Sequence, residues 1–358
     1  MKLIDAYILK KFFSTFFFVS IVILAVICVI DYGEKADNFI SKKIPFDIIV
    51  VNYYLNFILH FNNMLNPILV FIAVVFITSR LAARTEIVAI LSSGVSFGRL
   101  LLPYIVGAII LAVANFLLNS YVIPRANKVR VAFESQFIRG QYYYDARDIH
   151  FKVAPETFIY MQSYNNISNV GYLFTIEKLR GNRLEEKLIA DRIVYDTVKN
   201  KWHLDYYKLH KFEGDREILE QGNALDTAIN IAPSDFESTH ELQTALTLPE
   251  LRAYIKKQLS RGNTNVGLFE VEMYEKFTYP LAIIILTIMG VIVSARKSRQ
   301  GTGWQIALGF LLAFVFITLA RMCKSMGQAA SLDPLTAALF PPLLFAGIAV
   351  ILYKTVPR

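Results

Sequence analysis

The stretch from Arg80 to Gly98 reads RLAARTEIVAILSSGVSFG and separates two long apolar runs, one ending near Thr78 and one starting near Leu100. It is too polar to lie in hydrocarbon, and its apolar residues are spaced as in a helix. Thr85 is expected to cap a short helix by accepting a hydrogen bond from a free N–H of its first turn. Glu86 would then lie in that turn, where the positive end of the helix dipole favours a carboxylate.

The predicted coupling helix at residues 80–98 is amphipathic and has a basic start. Arg80 and Arg84 precede its first turn, and Gly94 is placed to end it. Its apolar face is formed, at i, i+3 and i+4, by Ile87, Ile90 and Leu91. Two interpretations stay open: a solvated turn between two membrane spans, or a docking helix for a soluble partner.

Composition indicates a membrane protein. Of the 358 residues, 55% are hydrophobic and the mean hydropathy is +0.43, which excludes an ordinary soluble domain. The first apolar run starts near Phe12 and has no small-residue cleavage site after it, so we expect a retained span. The two cysteines, Cys28 and Cys323, both lie in apolar runs, a placement that does not indicate a disulfide framework.

Several apolar runs are long enough to cross a bilayer, which needs about 20 residues. They lie near residues 12–30, 46–78, 100–123, 274–293, 304–322 and 335–353. A mixed-charge loop with Asp31, Glu34, Lys35 and Asp37 is expected after the first run. The chain therefore divides into an N-terminal membrane half, an inserted domain and a C-terminal membrane half, at residues 1–123, 124–265 and 266–358.

The inserted domain is expected to be β-structure. Short alternating runs near residues 158–162, 171–176, 188–196 and 201–209 are separated by Gly, Asn and Asp, a pattern typical of an antiparallel sandwich or jelly roll. Thr247 precedes a helical pattern, which predicts a short helix near residues 249–259. The expected fold class is an α-helical membrane protein with six transmembrane helices and an inserted antiparallel β jelly-roll-like domain, α+β overall.

Lys and Arg in the short loops predict the orientation, because cytoplasmic loops carry an excess of both. The N-terminus, the loop from Arg80 to Arg99, the basic run from Arg296 to Arg299 and the C-terminus share the more basic side. That side is expected to be cytoplasmic, which places the β domain outside. The net charge of +8 resides in these membrane-flanking segments rather than in a basic stripe on a folded domain, so nucleic-acid binding is not expected.

Recognisable catalytic motifs are missing from the sequence. There is no G-x-x-x-x-G-K-[ST] phosphate loop and no G-x-S-x-G elbow, and the five histidines are scattered without metal-ligand spacing. His60, in the asparagine-rich second run, is open to two interpretations. It could be a proton relay, or it could hydrogen-bond to adjacent helices together with its asparagine neighbours.

A second group of cations lies near the expected outer ends of the spans, where few are predicted. Arg321 and Lys324 are three residues apart and so share a helix face. Because Arg can bind phosphate through two N–H groups and Lys acts as a point charge, such a row suits a phosphorylated lipid. The alternative is interfacial anchoring by snorkelling side chains. The candidate headgroup residues are Lys35, Lys42, Lys43, Arg125, Lys128, Arg130, Arg321 and Lys324.

Over essentially its whole length the sequence resembles the LptF/LptG family of lipopolysaccharide export permeases. In the most specific part, Pro67, Arg84, Glu86 and the pair Ser93-Gly94 have the family's spacing. A second match is Glu275-Lys-Phe-Thr-Tyr-Pro280 at the start of the fourth span.

Other segments bear on the branch of the family. The start, Ile4-Asp5-Ala6-Tyr7-Ile8, and the segment from Gly309 to Phe316 are similar to LptG. The segment from Ser298 to Gly301 is more similar to LptF, and the balance leans to LptG. One departure concerns the headgroup residues: some members carry a lysine at the outer end of the first span, where this chain has Asp31, with Lys35 close by.

The resemblance implies a half-transporter with no cofactor and no ATP site of its own. It would pair with an LptF-like or LptG-like permease around a V-shaped cavity in the bacterial inner membrane, with the β domain in the periplasm. Lipopolysaccharide is the implied substrate, and a single-span LptC-like jelly-roll protein is a further implied partner. A cytoplasmic ABC ATPase dimer would dock at the coupling helix through Arg84, Thr85, Glu86, Ile87, Ile90 and Leu91.

A second class of function stays open beside this transport subunit. The chain could be a membrane-anchored sensor or assembly scaffold that uses the β domain as a binding module. Co-purification with an ATPase separates the two classes.

Overall fold

A computed structural model describes residues 3–139, 144, 147–181, 183–197, 199–213, 216–236, 241–261, 266–295 and 302–354. The chain forms two compact units. The membrane unit comprises Met1–Ile138, Glu241–Arg252 and Gly267–Arg358, and the β unit comprises Arg139–His240 and Ala253–Val266. The two units are groups of residues that contact one another, and they do not mark where the membrane begins or ends. The predicted boundaries at residues 123 and 265 therefore stay a prediction.

The first three spans are long helices. Helix α1 is Leu3–Ser41. The second span, Phe46–Ala83, consists of α2 (Phe46–Ile48), a π-helical segment and α3 (Leu55–Ala83). The short helix α4 (Glu86–Ser92) leads to α5 (Phe97–Leu117), which continues through a π-helical segment into α6 (Ile123–Phe133).

The charged residues after the first apolar run continue α1, so the loop predicted there is wrong. Asp31, Lys35 and Phe39 recur every four residues on one helix face. Phe39 is buried and its ring lies 6.0 Å from that of Tyr53, while Asp31 accepts a hydrogen bond from the Tyr53 hydroxyl at 3.0 Å. Packing against the second span therefore carries the helix through its polar turns.

From Glu241 onward the chain forms α7 (Leu242–Ala245) and α8 (Leu248–Ser260), and the last three spans follow. These spans are α9 (Gly267–Ser294), α10 (Thr302–Gln328) and α11 (Pro334–Lys354). A Cβ on Gly327 would lie 2.7 Å from Cβ of Ala337, so only glycine permits the close approach of α10 to α11 there. Within the described residues, six helices are long and apolar enough to cross a membrane, as predicted.

The core of the membrane unit forms where the spans cross. Residues of α1, α3, α5 and α9 make one buried cluster that includes Phe12, Val74, Tyr104 and Ile283. A second cluster joins α3 and α9 to α10 and α11 around Leu286 and Phe345. Burial of these side chains fixes how the helices cross, and the crossings position the polar groups described below.

The β unit contains one antiparallel sheet whose strands follow chain order: β1 (Arg147–Ala154), β2 (Thr157–Asn165), β3 (Val170–Arg180), β4 (Arg183–Asp196), β5 (Lys201–Glu213) and β6 (Arg216–Thr227). The predicted antiparallel β domain is confirmed. The connectivity of the described strands is a meander, in which each strand pairs with its neighbour in sequence. Phe174, Trp202 and Phe236 are fully buried on one face, and the Trp202 indole N–H donates to the Ile231 carbonyl at 2.9 Å.

Candidate functional site

Helix α4 occupies the centre of the predicted coupling segment. It begins at Glu86 and its last turn leads to Gly94 at φ 86°, so the predicted end is confirmed. The predicted side-chain cap is wrong. Thr85 adopts a left-handed backbone at φ 60°, which turns its hydroxyl away from the first-turn N–H groups, and Oγ1 instead donates to the Arg84 carbonyl at 2.6 Å.

The predicted apolar face of α4 packs against the core of the membrane unit. Ile87 is buried, and Ile90 and Leu91 are partly buried against the same core cluster. The side chains that remain exposed on and beside α4 include Arg84, Thr85, Val88, Ala89, Ser92 and Ser93. Of the predicted coupling residues, Arg84 and Thr85 are therefore open to a partner, while the three apolar residues anchor the helix.

Two polar links fasten α4 and the start of α5 to the beginning of α1. The Tyr7 hydroxyl donates to Glu86 at 2.8 Å, and the Lys11 ammonium lies 3.9 Å from the same carboxylate. Arg99 donates two hydrogen bonds to the buried Asp5 carboxylate, both at 2.8 Å. Bidentate Arg–carboxylate pairs are strong and geometrically specific, so the Arg99–Asp5 pair fixes the start of α5 against the start of α1.

A polar cavity of about 360 Å³ lies toward the other end of the spans. Helices α3, α9 and α10 contribute most of its wall, and the rest comes from the end of the third span between Asn119 and Asn127 and from the segment from Glu241 to Thr244. Its polar lining comprises His60, Asn63, Asn119, Asn127, Glu241, Gln243, Thr244, Glu272, Glu275, Tyr279, Arg321, Lys324 and Gln328. We call this space the polar cavity.

Lys324 is neutralised inside the polar cavity by two carboxylates of α9. Its ammonium lies 3.0 Å from Glu272 and 2.5 Å from Glu275, and all three side chains are largely buried. Arg321 also lines the polar cavity but is exposed, and it makes no ion pair with any residue that the structure describes. The two predicted headgroup cations of α10 therefore differ in their freedom to bind an external phosphate.

Three of the remaining headgroup candidates are also neutralised within the membrane unit. Lys35 lies 2.6 Å from Asp31 and contacts the Tyr53 hydroxyl, and Lys128 lies 3.0 Å from Glu250. Arg130 is buried, 2.7 Å from Glu134 and paired also with Glu241. By contrast Lys42, Lys43 and Arg125 are exposed, without an ion pair among the described residues.

Sequence reasoning missed the carboxylates and the lysine at the start of α9. The Lys276 ammonium is fully buried and donates to the Asn119 carbonyl at 2.9 Å, in the π-helical segment Leu118–Val122 where regular helical bonding is interrupted. Glu272 and Glu275 are three residues apart in a span, a spacing that places both on one helix face. That spacing, in a run where ionisable residues are costly, was the available signal.

The asparagine-rich part of α3 hydrogen-bonds to a neighbouring span. The Asn115 side-chain amide of α5 donates to Asn63 at 2.8 Å. His60 lines the polar cavity. Of the two interpretations, hydrogen bonding between adjacent helices therefore holds for Asn63, whereas His60 is one of the residues that line the polar cavity.

The fold describes a multi-span membrane protein with an inserted antiparallel sheet. A family model for the lipopolysaccharide export system permease LptF/LptG matches residues 6–355. The chain belongs to this family. The lipopolysaccharide export system permease protein LptG of Escherichia coli K12 is 20% identical over 267 residues, which cover 74% of each chain, and LptG of E. coli O6:H1 strain CFT073 gives the same values.

Membership confirms the resemblance seen in the sequence. The chain is a multi-pass inner-membrane protein of a lipopolysaccharide export permease family, and that family implies an export system with partner proteins.

Proposed function

We propose that this chain is the permease subunit of an ABC transporter that extracts lipopolysaccharide from the inner membrane and passes it to a periplasmic bridge. The family match over residues 6–355 carries the proposal, because it includes both membrane halves and the inserted sheet. Hydrolysis is assigned to a separate cytoplasmic ATPase dimer. The substrate would leave the membrane through a cavity formed with a second LptF-like or LptG-like permease and meet an LptC-like partner beyond it.

The exposed surfaces of two spans support pairing with a second permease. In the most apolar 18-residue stretch of each span, the share of buried residues is 17% for α1 and 22% for α10. The same share is 67% for the second span. Helices α1 and α10 therefore leave the most apolar surface for lipid or a partner. A cavity between two such surfaces would replace the leaflet around the acyl chains, each CH₂ of which costs about 0.8 kcal/mol to expose to water.

The polar links of α4 support its role as the coupling element. ATP-driven movement of a docked partner would act on α4 and pass to α1 through Glu86–Tyr7 and Asp5–Arg99. Helix α1 is one of the two spans with the most exposed apolar surface. A displacement at α4 would thus change the width of the proposed lipid cavity.

The exposed cations at the opposite end of the spans are proposed to bind the lipid phosphates. Arg321, Lys42, Lys43 and Arg125 lack ion pairs among the described residues, so binding a phosphate would break no such pair. Lys35, Lys128, Arg130 and Lys324 would have to leave a carboxylate first. We therefore assign direct phosphate contact to the first group and a supporting role to the second.

The test is reconstitution. The chain is co-expressed with an ATPase and a second permease of the family, placed in proteoliposomes with lipopolysaccharide, and mixed with a periplasmic acceptor. ATP-dependent transfer of lipid to the acceptor is expected. Stable ATPase binding without any transfer would instead support the scaffold alternative.

Orientation is tested separately. A reporter fusion at Gly181 is expected to report the periplasm and one at Gln300 the cytoplasm. The reason is that the short loops on the side of Gln300 are more basic than those on the opposite side. The same compartment for both fusions would reject the topology.

A further inference from the structure

The helical hydrogen bonding of the third span is interrupted just before α6. The Ile123 N–H donates to the Leu118 carbonyl, five residues back, instead of to the Asn119 carbonyl as in a regular α-helix. Pro124, the next residue, has no N–H to offer. The Asn119 carbonyl is therefore left without either backbone donor that a helix would supply, although Asn119 is buried.

Lys276 of α9 supplies the missing donor. Its ammonium donates to the Asn119 carbonyl at 2.9 Å, and Lys276 is only 1% exposed. The adjacent rings of Phe116 on α5 and Phe277 on α9 lie 5.4 Å apart, so the two spans pack against each other at this level. The contact between Lys276 and Asn119 thus joins the third and fourth spans inside the membrane unit.

The position of this ammonium is costly by itself. A buried charge destabilises a fold unless an opposite charge pairs with it, and ionisable residues within spans are candidates for function. Glu272 and Glu275 precede Lys276 on α9, but both carboxylates hold Lys324. Within the described part of the chain Lys276 makes no ion pair, and its acceptor is the Asn119 carbonyl. An apolar side chain at position 276 would avoid this cost, so the contact with Asn119 has a role beyond packing.

Helix α6, which begins directly after the interruption, closes one side of the polar cavity. Ile123 and Asn127 line this space. The Asn127 side-chain amide donates to the Thr244 carbonyl at 3.0 Å, and Arg130 pairs with Glu241 in the same segment. The orientation of α6 about its axis therefore decides whether the cavity is closed there.

A regular helix would turn this wall away from the cavity. If the Ile123 N–H returned to Asn119, the extra residue of the π-helical turn would be lost and α6 would rotate by about 100°. Asn127 would then lose its contact with Thr244. Because Lys276 satisfies the Asn119 carbonyl, the π-helical bonding leaves no buried acceptor unpaired at that position, and the rotation is not favoured.

We propose that Lys276 is a positioning residue for the lipid site. Its ammonium fixes the π-helical bonding of the third span, and this bonding holds α6 as a wall of the polar cavity, where Arg321 is assigned to a lipid phosphate. Lys276 itself touches no lipid and acts through Asn119 and α6. The link to the lipid rests on the proposed function, whereas the effect of Lys276 on the third span does not.

A double-mutant cycle tests the interrupted bonding in the full-length chain in detergent. Lys276→Met removes the donor and is expected to lower the thermal unfolding midpoint. Pro124→Ala returns a backbone N–H to the interruption, so Lys276→Met should lower the midpoint by about half as much, or less, in that background. The matched control is Pro103→Ala, which removes another proline from the same span about 24 Å away. It should leave the effect of Lys276→Met unchanged.

Hydrogen exchange locates the change without any lipid present. In Lys276→Met the backbone amides of α6 are expected to exchange at least about tenfold faster than in the wild type, because the helix has lost its attachment to α9. Leu286→Val is the control for general destabilisation. It removes a buried methylene from the cluster around Phe345, away from the interruption, so its α6 amides should exchange as in the wild type.

Lipid preference separates positioning from a structural role. Native mass spectrometry compares retention of lipopolysaccharide with retention of its dephosphorylated form. The wild type should prefer the phosphorylated lipid, and Lys276→Met should reduce this preference about tenfold. Leu286→Val should keep the wild-type preference although it is less stable. If Lys276→Met does not accumulate in the membrane, Lys276→Gln takes its place. It keeps an N–H donor on a side chain one atom shorter and should show the same changes at smaller size.

Two results would overturn the proposal. One is an additive cycle, in which Lys276→Met lowers the midpoint as much with Pro124→Ala as without it. The other is a Lys276→Met protein that keeps the wild-type exchange of α6 or the wild-type lipid preference, which would make Lys276 a structural residue only. A wild type without preference for the phosphorylated lipid would instead reject the headgroup assignment of the proposed function. The cycle and the exchange of α6 would then still decide whether Lys276 fixes the third span.

Discussion

The two charged regions of the membrane unit differ in whether carboxylates of the same fold neutralise their cations. Around α4, Arg80 and Arg84 outnumber the carboxylates within reach and remain exposed. In the polar cavity, Lys324 is held by both Glu272 and Glu275 in a largely buried cluster. A cation near the end of a span therefore indicates a ligand site only when no carboxylate of the same fold neutralises it. The predictions below test that distinction.

The largest effect is expected at Lys324. Lys324→Met leaves the carboxylates of Glu272 and Glu275 without their cation, and breaking a buried pair in this way costs about 3–5 kcal/mol. We expect a lower thermal unfolding midpoint in detergent and loss of both basal and lipid-stimulated ATP hydrolysis in the assembled transporter.

A compensated variant separates charge from packing. Combining Lys324→Met with Glu272→Gln and Glu275→Gln removes the unpaired charges, so most of the lost stability is expected to return. A triple variant as unstable as Lys324→Met alone would show that the cluster acts through shape rather than charge.

The next effect is expected at Glu86. If this carboxylate also meets a cation of the ATPase in a partly buried contact, Glu86→Lys leaves that cation unpaired at a cost of about 2–5 kcal/mol. We expect release of the ATPase, measured by co-purification, with the permease at its normal level in the membrane. If Glu86 only complements the dipole of α4, Glu86→Ala should cost about 0.3–1 kcal/mol of local stability.

Tyr7→Phe is the matched control for Glu86. It removes the internal hydrogen bond to Glu86 and keeps the carboxylate available to a partner. ATPase binding is expected to persist while transport slows, because the link from α4 to α1 is weakened. A Glu86→Lys protein that holds its ATPase and exports lipid at the normal rate would reject the docking role.

The sequence predicts those features of the fold that depend on neighbouring residues, and it misses those that depend on contacts between residues far apart in the chain. The six spans follow from long apolar runs, and the end of α4 follows from Gly94, because both signals are local. The continuation of α1 through Asp31 and Lys35 was missed because it depends on packing of Phe39 against a residue of the next span. The failed cap at Thr85 depends on a left-handed backbone that no local residue preference indicated.

The β unit shows the same limit. Strands β2 to β5 were predicted from alternating runs, whereas β1 and β6 were not. Most side chains of β6 are exposed, so its sequence lacks a clear apolar face, and it is held by backbone pairing with β5. In the polar cavity, the carboxylates of α9 meet Lys324 about fifty positions later, a pairing that only the folded helices create.

A smaller effect is expected at Arg321, the unpaired cation of the polar cavity. A hydrogen bond to a charged group contributes about 1.5–3 kcal/mol, so Arg321→Glu should weaken lipid binding about ten- to a hundredfold. We expect lipid-stimulated hydrolysis to fall and basal hydrolysis to stay, since no described ion pair is broken. Lys354→Glu makes the same charge change at the other end of the spans and should leave both rates unchanged. Equal loss of both rates in Arg321→Glu would favour a folding defect.

The smallest effect is expected at Glu250, which tests whether Lys128 belongs with the neutralised cations. Glu250 accepts hydrogen bonds from the Thr247 backbone N–H and hydroxyl, both at 2.8 Å, and pairs with Lys128 at 3.0 Å. These contacts lower the pKa of Glu250 from 4.5 to about 2, and the hydrogen bond from the Thr247 backbone N–H contributes most. Because the folded carboxyl has the lower pKa, its stabilisation is complete above pH 4.5 and is lost as the pH falls toward 2.

Glu250→Ala should therefore cost about 0.5–2 kcal/mol of α8 stability at neutral pH, the range of a lost helix cap. Hydrogen exchange of the α8 amides measures this cost, and it should disappear in acid, where the wild-type carboxyl is protonated. Lys128→Gln removes only an exposed ion pair and should cost less than about 1 kcal/mol. If Lys128→Gln instead lowers lipid-stimulated hydrolysis as strongly as Arg321→Glu, Lys128 binds the lipid despite its carboxylate, and the distinction between paired and unpaired cations fails at this position.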